Sequence, residues 1–483
     1  MRCLVHSGLA MPGGYSTHWF WRSSFSSFGW IQRQSSLWDS GAYIQTALFG
    51  SIPGDRSYFY GYLVRWLAVW PHGFIPLLLI QALAGGATSI VFALICSRFF
   101  ELSNSISFLF GLLCALDPLQ LVWERYVMTE TFSLLIYALV LYWSLAYLRN
   151  RHLWQLALVQ ALSVLLIGFR ISYLPLVQAC TVLLPLVAFA RPVVPALRNR
   201  CCETPASKMG VLTTALMHLT VSVAMMFVMH GAYKYAYGWI GNSEPAYLSE
   251  TGSHLAAVWA PALEPSDASD PRFAEIIAHG DQFKIKDLGA RNAQQYGEGF
   301  LIKQWRAIES DLRTNDRVAR ETAMNALRRR PLAIVGLTVE TYAGYWNLRA
   351  IQRYARTDLG YGKLKDSQVK MLAEKFGLQT AKQLPAQPFS LLQQYFLNTW
   401  PYYFIVIVSP IIWVLATWLS RDRALALLLF FHASILMVVA TALSPQPGIR
   451  YIQSVSFLTL LSIAICVDCL AMWLRPAAMQ PAA

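Results

Sequence analysis

Long stretches of this chain run for most of a membrane's thickness without a charged residue: Ile75–Cys96, Phe132–Leu148, Leu174–Ala190, Tyr402–Leu419 and Leu425–Leu443. A helix needs roughly 20 apolar residues to cross the hydrocarbon core, somewhat fewer when flanking side chains snorkel. A soluble core would rarely supply so many such runs, so the chain reads as an all-α integral membrane protein. Charged residues make up only 13% of it, about half of what a soluble globular chain carries. The mean hydropathy is +0.41.

Apolar stretches between polar breaks predict nine spans, near 74–97, 105–122, 127–148, 153–169, 171–190, 211–231, 400–419, 424–443 and 452–474. Short cytoplasmic loops retain Lys and Arg. Ten basic residues, from Arg98 through Arg149, Arg151, Arg191, Arg198, Arg200, Lys208, Arg421 and Arg423 to Arg475, mark one side. The short loops opposite carry three: Arg125, Arg170 and Arg450. The first set is therefore read as cytoplasmic, with the chain in a bacterial inner membrane. The first 73 residues then lie outside without an apolar helix before them, because Tyr15–Gln34 is broken by Arg22 and many serines. A further helix is expected upstream, giving nine to ten spans.

Three regions follow: an N-terminal transmembrane module over 1–231, an extracytoplasmic, partly helical lid over 232–399, and C-terminal transmembrane helices over 400–483. The lid carries most of the acids and over half of the bases. Thr314-Asn315-Asp316 followed by Val318 to Arg330 and Pro331 predicts a capped amphipathic helix with a proline stop. Ala260 to Asp270, rich in proline and acids, predicts a surface loop. Leu332–Leu348 is apolar but interrupted by Glu340, and predicts an interfacial helix on the outer leaflet. Eight cysteines are present, none in 232–399, so no disulfide framework is expected there. Cys466 and Cys469 have CxxC spacing, but on an apolar helix they read as two small side chains one turn apart.

Ionisable groups at membrane depth are costly and usually face a cavity or a partner. Of nine acids outside the lid, five fall on the outer face: Asp39, Asp55, Asp117, Glu124 and Glu130. Glu130 is the sharpest, because it begins an apolar run. Glu124 and Glu130 either pair with Arg125 and solvate at the interface, or line a polar cavity. Arg56, Arg65, Arg125, Arg170 and Arg450 are the basic residues beside apolar runs on that face. Each either snorkels to headgroups or offers a guanidinium fork to a phosphate. Aromatic residues around Asp39 (Trp30, Trp38, Tyr43, Tyr58, Tyr60) suit both sugar stacking and an interfacial belt. Nucleotide-binding glycine loops, HExxH and Asp-x-Asp are absent, and the nine histidines lack metal spacing. The net charge of +13 points to anionic membrane lipids, not to nucleic acid. No metal site and no cofactor is specified, and a divalent cation stays open.

Motif order carries a further signal. Ser36-Leu37-Trp38-Asp39-Ser40-Gly41-Ala42-Tyr43, Arg56-Ser57-Tyr58-Phe59-Tyr60-Gly61-Tyr62, Asp117-Pro118 through Val127-Met128-Thr129-Glu130, Asn325-Ala326-Leu327-Arg328-Arg329-Arg330-Pro331 and Pro447-Gly448-Ile449-Arg450-Tyr451 follow one another along the chain. This succession resembles the polyprenyl-phosphate-sugar-dependent glycosyltransferases of the C-type fold (GT-C), which include protein O-mannosyltransferases and lipid A aminoarabinose transferases. Ser40 stands where members often carry a second acid. The resemblance implies a GT-C-type bundle and an inverting transfer of a polyprenyl-phosphate-linked sugar to a glycan, lipid or protein hydroxyl on the outer face. Asp39 would be the general base and Glu130 a positioning acid. Arg56, Arg170 and Arg450 would bind the donor phosphate, and Tyr43, Tyr60 and Tyr451 would contact substrate. Two alternatives stay open. A transporter or flippase would show inverted repeats and midplane breaks. A polysaccharide ligase or polymerase would use lid bases such as Arg349, Arg353 and Arg356.

Overall fold

The computed structural model of the chain describes residues 37–69, 73–198, 205–347, 349, 351, 366–377 and 407–474. Residues 15–34 with Trp30, Cys201, Cys202, Arg353, Arg356 and the start of the expected 400–419 span lie outside them. The described residues are helical with no strand. Two helices, α1 (Leu37–Phe49) and α2 (Phe59–Ala68), precede the bundle. The bundle then runs through α3 (Ile75–Phe99), α4 (Asn104–Ala115), the short α5 (Pro118–Trp123), α6 (Glu130–Asn150), α7 (Leu153–Phe169), α8 (Leu174–Arg198) and α9 (Pro205–Ile240).

Six helices among the described residues are long and apolar enough to cross a membrane, so this is a multi-pass membrane protein. The count is lower than the nine to ten expected. The remaining three apolar helices, α4, α7 and the later α17 (Ser409–Leu419), have 12, 17 and 11 residues. Apolar composition is continuous across these stretches, but the helix is not. In the 105–122 stretch, Asp117 accepts the N–H of Leu119 at 2.8 Å and caps a new helix that begins at Pro118. Proline lacks the N–H that a continuing helix would need. Conversely, α9 runs to Ile240 instead of ending near 231. The α6–α7 turn is tight: Arg151 takes φ +58° and His152 follows directly.

At one end of the bundle, Arg149 pairs with Glu101 at 2.7 Å and Ser103 N–H donates to Asp468 at 3.0 Å. The lid covers the opposite end. It comprises α10 (Thr251–Val258), α11 (Pro271–His279), α12 (Leu288–Tyr296), α13 (Leu301–Ile308), α14 (Leu312–Arg329) and α15 (Pro331–Gly344). Burial of Phe273, Ile302 and Trp305 gives it a core of its own. The helix α14 starts four residues earlier than its Asp316 would suggest, because Asp311 accepts the Thr314 N–H at 3.1 Å. The helix α14 ends at Arg329, at the expected proline stop, and Pro331 opens α15, where its missing N–H is no loss at a first turn. The Ala260–Asp270 stretch is only in part a surface loop: Glu264, Pro265, Ser266 and Ser269 are exposed. Its side chains Ala260, Ala262 and Leu263 are buried, and Asp267 is fully buried between Arg330 and the Glu264 N–H.

After α15 come α16 (Asp366–Phe376), α17, α18 (Arg423–Ala442) and α19 (Gln453–Trp473). Lid and bundle are bolted together at the end of α18. His254 Nε2 donates to the Leu443 carbonyl at 2.9 Å, and Trp259 Nε1 to that of Ala442 at 2.8 Å. The guanidinium of Arg291, buried in the lid, donates to Thr341 Oγ1 at 2.9 Å and so pins α15. On its other face α15 exposes Leu332, Val335 and Val339.

Candidate functional site

Five helix ends meet beneath the lid: the start of α6, the end of α7, the start of α8, the end of α18 and the start of α19. Glu130 heads α6 and is buried at 3% exposure. Its Oε1 lies 3.5 Å from Nη1 of Arg170, which stands in the break between α7 and α8. Glu130 thus pairs with Arg170 and not with Arg125. A second nitrogen of Arg170, Nη2, donates to the main-chain carbonyl of Arg450 at 3.1 Å. Both guanidinium groups flank one ring: the Arg170 carbon is 5.8 Å from the Tyr451 centroid and that of Arg450 is 4.9 Å. Arg450 also donates to the Tyr451 hydroxyl at 2.9 Å. Two guanidinium groups and one carboxylate meet at this corner, and a guanidinium fork has a shape suited to an oxyanion such as phosphate.

The first helices are tied to the same corner. Asp39 lies in α1, and the next residue, Ser40, is buried and donates to the Val127 carbonyl at 3.0 Å. This bond sets α1 against the segment that leads into Glu130. Ser57, one residue after Arg56, donates to the carbonyl of Gly168, two residues before Arg170. The Arg56 guanidinium forks onto Asp55, with Nη2 to Oδ2 at 2.7 Å. Gln81 on α3 fixes the hairpin, donating to the carbonyls of Glu124 and Tyr126 at 2.8 and 2.9 Å and accepting from Tyr60 at 2.6 Å. Glu124 is buried with Gln120 donating to it at 3.2 Å.

Contacts among residues 40–43, 57–60, 127–130, 168–170 and 450–451 link these segments at one end of the bundle. The arrangement differs in one respect from expectation. Tyr43 and Tyr60 are 5% and 0% exposed and pack edge-to-face at 5.0 Å. Both rings lie in the hydrophobic core. Tyr451, half-buried between two arginines, keeps a position from which it can touch a ligand.

Some participants escaped the sequence. Tyr173 donates to or accepts from Ser454 and stacks on Tyr137 at 5.4 Å, while Tyr137 reaches His432 at 3.3 Å. This polar column under Arg170 ends at Cys180, 3.2 Å from His432. Among the described residues, no group of three His, Cys, Asp or Glu side chains is placed to hold a metal ion. No protein-family model, no curated protein and no solved structure matches this chain.

Proposed function

We propose that this chain is a membrane glycosyltransferase that moves a sugar from a polyprenyl-phosphate donor to an acceptor hydroxyl at the lid end, on the extracytoplasmic face of a bacterial inner membrane. The observation that supports it best is the junction of Glu130, Arg170, Arg450 and Tyr451, with the Asp39 helix fastened beside it through Ser40 and Val127. A base, a cluster of guanidinium groups and a covering lid are the parts that such a transfer needs.

In the reaction, the acceptor oxygen attacks the anomeric carbon on the face opposite the phosphate. Asp39 takes the hydroxyl proton as the new carbon–oxygen bond forms. The anomeric carbon–phosphate oxygen bond breaks, its electron pair leaves with the lipid phosphate, and the configuration inverts. Arg170 and Arg450 stabilise that growing charge; preorganised groups of this kind usually contribute more to the rate than any other single effect. Glu130 acts through Arg170, holding the fork in place. Arg56 adds a third positive charge from the α1–α2 side.

A direct test is to reconstitute the full chain in lipid nanodiscs with a panel of polyprenyl-phosphate sugars and an envelope extract as acceptor. Release of free polyprenyl phosphate coupled to a glycosylated product supports the proposal. Transbilayer movement of the donor with no product would point to a flippase instead.

A further inference from the structure

The loop between α1 and α2 is held from two sides. On the lid side, the Glu250 N–H donates to the Gly54 carbonyl at 2.9 Å, and the Glu250 carboxylate is fixed by Arg306 Nη2 at 2.7 Å. The approach is so close that a Cβ at Gly54 would fall 2.5 Å from Cγ of Glu250. The hydroxyl of Tyr296, on α12, donates to Asp55 Oδ2 at 3.4 Å, the same oxygen that receives Arg56 Nη2. Tyr237 of α9 adds a bond to the Pro53 carbonyl at 3.4 Å. On the bundle side, Ser57 is buried against Gly168, next to the Phe169–Arg170 corner. Asp55 and Arg56 thus stand between the lid and the cluster of guanidinium groups.

We propose that residues 53–57 form a strap through which the lid sets the site's grip on a phosphate group, with Glu250 and Tyr296 as positioning residues for Arg56. The inference rests on the donor-phosphate reading above. Its physical basis is that Asp55 is shared: one carboxylate accepts from the lid hydroxyl and from the Arg56 fork at once, so where the lid holds Asp55 sets where Arg56 is held. An acceptor that shifts α12 or α13 would then alter phosphate binding without touching it.

The test uses the full chain in nanodiscs and two mild substitutions, Tyr296→Phe and Glu250→Gln, each compared with Arg56→Gln. Amide hydrogen exchange over 54–57 should rise about fivefold in either lid variant, the effect of losing one ordinary hydrogen bond. Exchange in the α6 core should stay as in the parent chain. Affinity for undecaprenyl phosphate should fall by about the same factor. Combining Tyr296→Phe with Arg56→Gln should add nothing beyond Arg56→Gln alone, since both act through one group. Unchanged exchange at 54–57 would overturn the strap. Faster exchange with unchanged phosphate affinity, or fully additive variants, would overturn the coupling. Hydrogen exchange needs no substrate, so it stands or falls separately from any failure to observe sugar transfer.

Discussion

Glu130 is buried and Arg170 partly so, and removing Arg170 would leave the Glu130 carboxylate stranded. Breaking such a pair from one side costs about 3 kcal/mol or more. Glu130→Gln should therefore lower thermal stability and transfer rate together, and adding Arg170→Gln should restore part of the stability, a pattern that a double-mutant cycle reads directly. Arg170→Lys keeps the charge but cannot bond Glu130 and the Arg450 carbonyl at once. Its transfer rate should fall by about a hundredfold; a rate within about threefold of wild type would show that the fork is not used. These residues were legible in the sequence because isolated charges beside apolar runs are conspicuous. Their partners were not. Arg125 is nearer in sequence to Glu130 than Arg170 is, and only the packing of α6 on α7 decides between them. Ser40 and Ser57 were illegible for a different reason: a serine carries no signal until its partner carbonyl is known.

At the scale of elements, helix starts were misplaced where several capping residues lay close together. Asp311 and Thr314 both suit an N-cap, and the earlier one wins because its carboxylate reaches the Thr314 hydroxyl as well as its N–H. Those bonds hold the Asp311 carboxyl below the usual carboxylate range. Arg272, bonded side chain to side chain, does the same for Asp270 at the head of α11. A carboxyl depressed in the folded state stabilises it above the unfolded pKa and ceases to do so as pH falls through the lower, folded value. Hydrogen exchange at the first turns of α11 and α14 should therefore quicken as pH drops below the ordinary carboxylate range, after correction for intrinsic exchange. A flat profile would contradict the capping roles. A second element-scale expectation concerns the crossing of α10 over α14. A Cβ at Gly252 would sit 2.1 Å from the Asp316 carbonyl oxygen. Gly252→Ala should cost about 2 kcal/mol in lid stability, as overpacking does, measurable as earlier thermal exposure of the lid to protease. Close contacts of this kind leave no trace in the sequence beyond the glycine itself.

For the molecule as a whole, membrane character and the positions of the long apolar helices could be read from apolar runs. Span continuity could not, since α4 ends at Ala115 although apolar residues continue past Pro118. Which end of the bundle faces outward rests on the positive-inside pattern. A cysteine at exposed Glu298 in the lid should react with a membrane-impermeant thiol reagent added to spheroplasts, and one at His152 should react only after lysis. The reverse would invert the topology and remove the extracytoplasmic site. The most direct measurement is sugar transfer from a polyprenyl-phosphate donor panel in membranes holding equal amounts of wild type or Asp39→Asn. We expect a product from wild type and a loss of at least about a hundredfold in the variant, the low end for a general base. Transfer by Asp39→Asn at the wild-type rate, or no product from wild type with any donor, would contradict the assignment of this site.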